Sequence, residues 1–239
     1  MEVVNYLLGY ENLKIVQNTQ MFNFSLDSVL LPNFITINTS TQKIMDIGCG
    51  NAPIPLILST KTKAEIIGVE IQKEVSQLAQ KSVELNNLQG QITIINKDIN
   101  DIRGDFESDS FDIITCNPPF FAVKEKSNFN KNDYKTLARH EVTLNLDIIC
   151  NTAKKLLKNG GIIGIVHRPE RLADVLVTMR YYNLEPKKIR FIHPKEGKEA
   201  NIVLIEGKKN GNNGLKVLKP LISHDSNGDY TKEIQNYFR

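Results

Sequence analysis

Short apolar runs alternate along this chain with stretches in which apolar residues recur every three or four positions. Four runs stand out: Lys43-Ile44-Met45-Asp46-Ile47, Ile66-Ile67-Gly68-Val69-Glu70, Ile92-Thr93-Ile94-Ile95 and Phe111 to Cys116. Each is nearly continuous rather than alternating, as expected of a strand buried on both faces of a parallel sheet. A helix is predicted from about Gln72 to Leu85, with Ile71, Val75, Leu78, Ser82 and Leu85 on one face and Asn86-Asn87 closing it. Leu146, Ile149, Cys150, Ala153, Leu156 and Leu157 repeat that spacing, and Asn159-Gly160-Gly161 predicts a helix stop before a fifth strand, Ile162 to Val166. His167-Arg168-Pro169-Glu170 starts another helix, through Leu172, Leu176 and Met179, ending before Pro186. Lys188 to Ile192 and Asn201 to Glu206, around the turn His193-Pro194-Lys195-Glu196-Gly197, predict an antiparallel edge hairpin. Strands alternating with helices predict a doubly wound α/β sheet.

Upstream, Leu13 to Gln17 alternate like a short strand, and Ser25 can cap a helix whose apolar face is Val29, Leu30 and Phe34. Asp27 falls in its first turn, where the helix dipole favours an acid, and Pro32 should kink or shorten it. That helix is either an ordinary capped element or a lid over a cofactor. The expected division is an N-terminal extension and lid over 1–40, one α/β domain over 41–221 and a C-terminal tail over 222–239.

Composition narrows the setting. At 239 residues the chain can bury a full core, and one α/β domain with small additions fits better than two. Cys49, Cys116 and Cys150 are too few and too scattered for a disulfide framework or a zinc site, which points to a reducing, cytoplasmic compartment. The four histidines are too separated for a metal centre and read as surface or structural residues. The first ten residues lack the basic block of a signal peptide, and no apolar run approaches a membrane span. Net charge is only +3, yet from Lys187 to Lys219 there are nine Lys or Arg against three Glu. That local excess makes Lys187 and Lys188 candidate phosphate contacts.

The candidate chemistry centres on Asn117-Pro118-Pro119-Phe120, directly after the fourth apolar run. Proline has no N-H for a ladder and the residue before it is held extended, so the tetrapeptide forms a stiff shelf beyond a strand end. Ligands of open α/β sheets bind outside the carboxyl ends of the strands. The Asn117 amide oxygen and the Pro118 carbonyl are neighbouring acceptors, and Phe120 adds an aromatic face. Together they suit a planar group bearing an NH2. An adenine amino group is a poor nucleophile because its lone pair is delocalised. Two acceptors gripping its N-H bonds favour the pyramidal nitrogen of the transition state. No strong base is needed for attack on the sulfonium methyl of S-adenosylmethionine (SAM).

Asp46-Ile47-Gly48-Cys49-Gly50 reads as strand end, glycine turn and helix start, with Pro53 where a dinucleotide site would place its third glycine. Glu70 ends the next strand twenty positions after Gly50, where a carboxylate can accept both ribose hydroxyls, and Asp98 follows the third strand. Three acids and one acceptor shelf thus stand at or just past successive strand ends. Beyond the shelf, Phe121 to Glu141 is rich in Lys and Asn with no sustained apolar period. Such a long loop is read as a substrate clamp or as a disordered insertion.

These features resemble the SAM-dependent amino-methyltransferases whose signature is [DNS]-P-P-[FYW]. Phe24 to Ser28, Asp46 to Gly50, Asn117 to Phe121, His167 to Arg171 and His193 to Gly197 are together similar to the bacterial valine-tRNA (adenine-N6)-methyltransferases, which modify position 37. The resemblance implies a seven-stranded sheet of the class I SAM methyltransferase type with an antiparallel C-terminal hairpin. It also implies tRNA as partner, with no metal and no membrane. It assigns Asp46, Gly48, Gly50, Glu70, Asp98 and Asn117 to SAM, with Asp98 on the adenine amino group, and Asn117, Pro118 and Phe120 to the flipped base. Pro119, Phe121, Arg139, His140, Lys187 and Lys188 are the further candidate substrate contacts. Ribosomal RNA, DNA or a protein glutamine are alternative substrates, and a non-catalytic RNA-binding module is the alternative from another class.

Overall fold

The computed structural model describes residues 1–20, 25–118 and 145–238. Glu2–Leu7 (β1) and Tyr10–Asn18 (β2) form an antiparallel hairpin. Only β2 is legible in the sequence, because β1 is exposed along most of its length and writes no buried face into its residues. Helix α1, Leu26–Phe34, contains Pro32, which removes one backbone donor without ending the helix at that point. The Asn33 side chain donates to the Val29 carbonyl at 2.8 Å and to the Tyr10 hydroxyl at 3.1 Å. Ser25 occupies the N-cap position but makes no side-chain capping bond.

The predicted α/β alternation follows: β3 Lys43–Ile47, α2 Pro53–Ser59, β4 Glu65–Glu70, α3 Lys73–Leu85, β5 Ile92–Asn96, α4 Ile99–Ile102 and β6 Phe111–Cys116. After residue 144 come α5 Leu146–Leu156, β7 Leu157–His167, a 3-10 turn Pro169–Arg171, α6 Leu172–Tyr181, β8 Leu184–His193 and β9 Ile202–Lys209. Two short strands, β10 Lys216–Val217 and β11 Leu221–Ile222, precede α7, Lys232–Asn236. The main sheet has the order β10-β8-β9-β7-β6-β3-β4-β5, with β11 also on β8. Seven long strands give the expected sheet, and the two short ones extend it to nine. β3 to β7 are parallel, and β9 inserts antiparallel between β7 and β8. The C-terminal hairpin is therefore not a bare edge: β10 and β11 cover stretches of β8.

Three expectations need correction. Asn159-Gly160-Gly161 lies within β7 and does not stop a helix; α5 ends at Leu156, where the backbone N-H groups of Asp109 and Ser110 satisfy the carbonyls of Lys155 and Leu156. Ile71 precedes α3 and is exposed, as is Leu85, and the buried face is Ser76, Leu78, Ala79, Ser82 and Val83. Pro186 sits inside β8 at an irregularity in its pairing with β9, not in a loop before it.

Apolar side chains cover both faces of the sheet. One cluster gathers Ile44, Ile66, Ile92 and Ile113 with Leu30 and Leu31 of α1 and Leu56 of α2; the other gathers Met45, Ile67, Ile114 and Ile163 with Ile149 of α5 and Val175 of α6. Each fully buried aliphatic side chain contributes about 1.5–3 kcal/mol. The chain beyond residue 222 packs back on this core: Ile234 is fully buried, and a Cβ on Gly9 would collide with the Phe238 ring. The C-terminal end of α1 is fastened to the sheet by Glu206, which accepts from the Thr36 backbone N-H at 2.6 Å and its hydroxyl at 3.0 Å. Lys188 pairs with the same carboxylate at 2.9 Å and donates to the Phe34 carbonyl.

Candidate active site

Parallel register brings the candidate residues to one edge of the sheet. Ile47 pairs with Val69 on one side and Cys116 on the other, so Glu70 and Asn117 flank the turn that begins at Gly48. Gly48, Gly50 and Ala52 all have positive φ, which lets the chain fold back over the strand ends; Gly48 and Cys49 donate to the Val69 carbonyl. Glu70 is buried and shapes the same turn, its two oxygens accepting from the N-H groups of Gly50 at 3.1 Å and Gln72 at 2.9 Å. Asn51 donates to the Val16 carbonyl and Val16 in turn donates to Ser82, so the N-terminal hairpin is tied to the turn and to α3. α2 contributes less than a typical helix N-terminus, since Pro53 and Pro55 remove two of its first donors.

Asp46 is fully buried. Thr115 of β6 donates to its Oδ1 at 2.7 Å, whereas its Oδ2 has no partner among the described residues. Burial pushes its pKa up to about 7; the Thr115 bond opposes that, and the neighbouring Glu70 adds to it. An orphaned acceptor on a buried carboxylate is costly unless a cation completes it. The turn above it is open: a Cβ on Gly50 would meet nothing within 4 Å among the described residues. A buried acceptor for an ammonium, beside a glycine turn with free space, fits the amino-acid end of SAM.

Asn117 lies just past β6, and its Nδ2 donates to the Ser28 hydroxyl of α1 at 3.2 Å. Its Oδ1 accepts no hydrogen bond among the described residues, so the acceptor face of the amide is left over. Pro118 is buried beside it. Asp98 has a second occupation: it caps α4, its Oδ1 accepting from the Asn100 backbone at 2.8 Å and side chain at 2.9 Å. Pro119, Phe120, Phe121, Arg139 and His140, with the expected clamp, lie outside the described residues.

The basic hairpin is not the free surface its composition suggests. Lys188 is committed to Glu206 and α1, Arg190 pairs with Glu233, and Lys209 pairs with Asp109 at 2.6 Å. Lys187 donates to the Asn212 carbonyl and precedes the active-site end of β8 by six residues, about 20 Å of strand. Lys195 and Lys198, on the β8–β9 turn beside that end, are exposed. His167, also at this edge, is buried and not a surface residue; burial holds its pKa down at about 4, with Arg171 adding to the effect. The cysteines are inert: burial raises all three thiols, that of Cys150 to about 12. Sequence reasoning missed Thr115 and Ser28. The first carried a signal, as the polar residue inside an apolar strand; the second carried none.

Comparison with known proteins agrees with this geometry. The chain is similar to the tRNA1(Val) (adenine(37)-N6)-methyltransferase of Flavobacterium psychrophilum, 24% identical over 217 residues that cover 89% of this chain and 91% of that protein. The proteins of the same name from Phocaeicola vulgatus and Porphyromonas gingivalis are 26% identical over 84% of this chain and 83% of theirs, and 30% identical over 69% and 65%. Among solved structures, a predicted O-methyltransferase from Agrobacterium tumefaciens superposes with a TM-score of 0.69 at 20% identity, covering 89% of this chain and 96% of that one. A family model described as a methyltransferase domain matches residues 38–210, which hold the glycine turn, the orphaned Asp46 and the Asn117 shelf alike, and the chain belongs to that family.

Proposed function

We propose that this chain transfers the methyl group of SAM to the exocyclic N6 of an adenine in tRNA, at position 37 of a valine tRNA. The observation that carries the reading is the Asn117 amide, held at the strand edge with its donor side on Ser28 and its Oδ1 left to accept. The named relatives act on the same nucleotide. SAM supplies an electrophilic methyl on a sulfonium. Asp46 Oδ2 receives its ammonium, Gly48 and Gly50 allow close approach of the backbone, and Glu70 serves the ribose hydroxyls. Asp98 keeps its Oδ2 for the adenine amino group of the cofactor.

On the substrate side, Asn117 Oδ1 and the Pro118 carbonyl accept from the two N-H groups of the target nitrogen, which holds its lone pair toward the methyl. Phe120 stacks on the base. The proton released after transfer leaves to water. Pro119, Phe121, Arg139 and His140 complete the substrate contacts, and Lys195 and Lys198 replace Lys187 and Lys188 as the phosphate contacts. Methyl transfer from labelled SAM into unmodified total tRNA, followed by nucleoside analysis, tests the reading. N6-methyladenosine in valine tRNA is the expected product; incorporation only into ribosomal RNA, DNA or protein would refute it.

A further inference from the structure

Taking the role of Asn117 above as its basis, we infer that Ser28 is a positioning residue for methyl transfer: its hydroxyl anchors the Asn117 amide in the pose that meets the target NH2. Ser28 is 5% exposed and sits in the first turn of α1. Its Oγ accepts from Asn117 Nδ2 at 3.2 Å, a bond that joins residues 89 apart in sequence. The terminal torsion of an asparagine is broad, so an amide with no partner swings and aims its acceptor at the target NH2 for only part of the time. A bond from Nδ2 to a helix packed into the core removes that freedom and leaves Oδ1 to the substrate.

The α1 backbone can bear this task because it is fixed at both faces and at its end. Val29, Leu30 and Leu31 are fully buried. Thr36 and the Phe34 carbonyl are bound to Glu206 and Lys188 on the sheet. Ser28 thus refers the amide to the body of the fold, and α1 acts as part of the catalytic shelf's support. Its neighbour Asp27, also buried, faces Arg168 and the Ser25 side chain, and it has no part in this arrangement.

The test is a double-mutant cycle on single-turnover methyl transfer to tRNA, with SAM affinity measured separately. Ser28→Ala should lower the transfer rate roughly three- to tenfold, the range expected when the one hydrogen bond that holds the amide in its reacting pose is lost. SAM affinity and KM for tRNA should stay within about twofold. On top of Asn117→Ala, Ser28→Ala should cost nothing further, because there is no amide left to orient. Should Ser28→Ala unfold the protein, Ser28→Cys keeps the volume with a poor acceptor and carries the same expectation. A Ser28→Ala enzyme as fast as the parent, or a loss that persists undiminished in the Asn117→Ala background, would overturn the inference. If Asn117→Ala itself transfers methyl at the parental rate, the reading of the shelf fails instead.

Discussion

Replacing Asp46 by Asn should make the cofactor-free protein more stable at high pH and nearly useless as a binder of SAM. The carboxyl has a pKa of about 7 in the folded chain, raised first by burial, against 3.8 when exposed. Over that window the folded state holds more protons than the unfolded one, so stability falls as pH rises, by up to about 1.4 kcal/mol per unit, and levels off above pH 7. Between about pH 5 and about pH 8 the native protein should therefore lose about 2–3 kcal/mol from this group alone. Asn does not titrate and retains an acceptor for the Thr115 hydroxyl. The stability difference between Asp46→Asn and the native chain should accordingly grow by that amount over the same interval. Urea unfolding at the two pH values, without SAM, measures it. A difference that is constant with pH, or one that shrinks on going to pH 8, would refute the assignment of a desolvated, cation-seeking carboxylate. The same group links SAM binding to proton release, so affinity should weaken as pH falls below about 7.

Three further outcomes follow from the geometry. Asn117→Ala should leave SAM affinity nearly unchanged in equilibrium binding while slowing transfer by about 3 kcal/mol, the usual cost of one transition-state hydrogen-bond acceptor or donor; an equal loss of SAM binding would move Asn117 out of its assigned role. Lys188→Ala should act on stability, costing about 2–3 kcal/mol in unfolding experiments because the buried Glu206 loses its partner, and should leave the salt dependence of tRNA binding as it was. Neutralising Lys195 and Lys198 together should instead flatten that salt dependence by about two units of slope, seen in filter binding over a series of salt concentrations, with the melting temperature unchanged.

The sequence was most legible where a single physical demand dominates. Strands β3, β4 and β6 are buried on both faces, and their apolar runs announce them. Glycines and prolines marked the turn at Gly48 and the shelf at Asn117, since few other residues hold those backbones. Lys188 was misread because charge density along the chain does not reveal that its side chain folds inward to Glu206, which sits on a different strand. Asp98 was read for its carboxylate alone, although an acid before a short helix has a capping bond to make as well. β1 left no pattern, having no face to bury, and Ser28 left none because its meaning depends on a residue far along the chain.

The central claim is that the Asn117 shelf methylates the adenine at tRNA position 37. It is tested most directly by incubating the protein with labelled SAM and two valine tRNA transcripts, one with adenine at position 37 and one with guanine there. The account predicts label as N6-methyladenosine in the first and none in the second. Equal labelling of both, or label only in another polymer while SAM still binds, would contradict it.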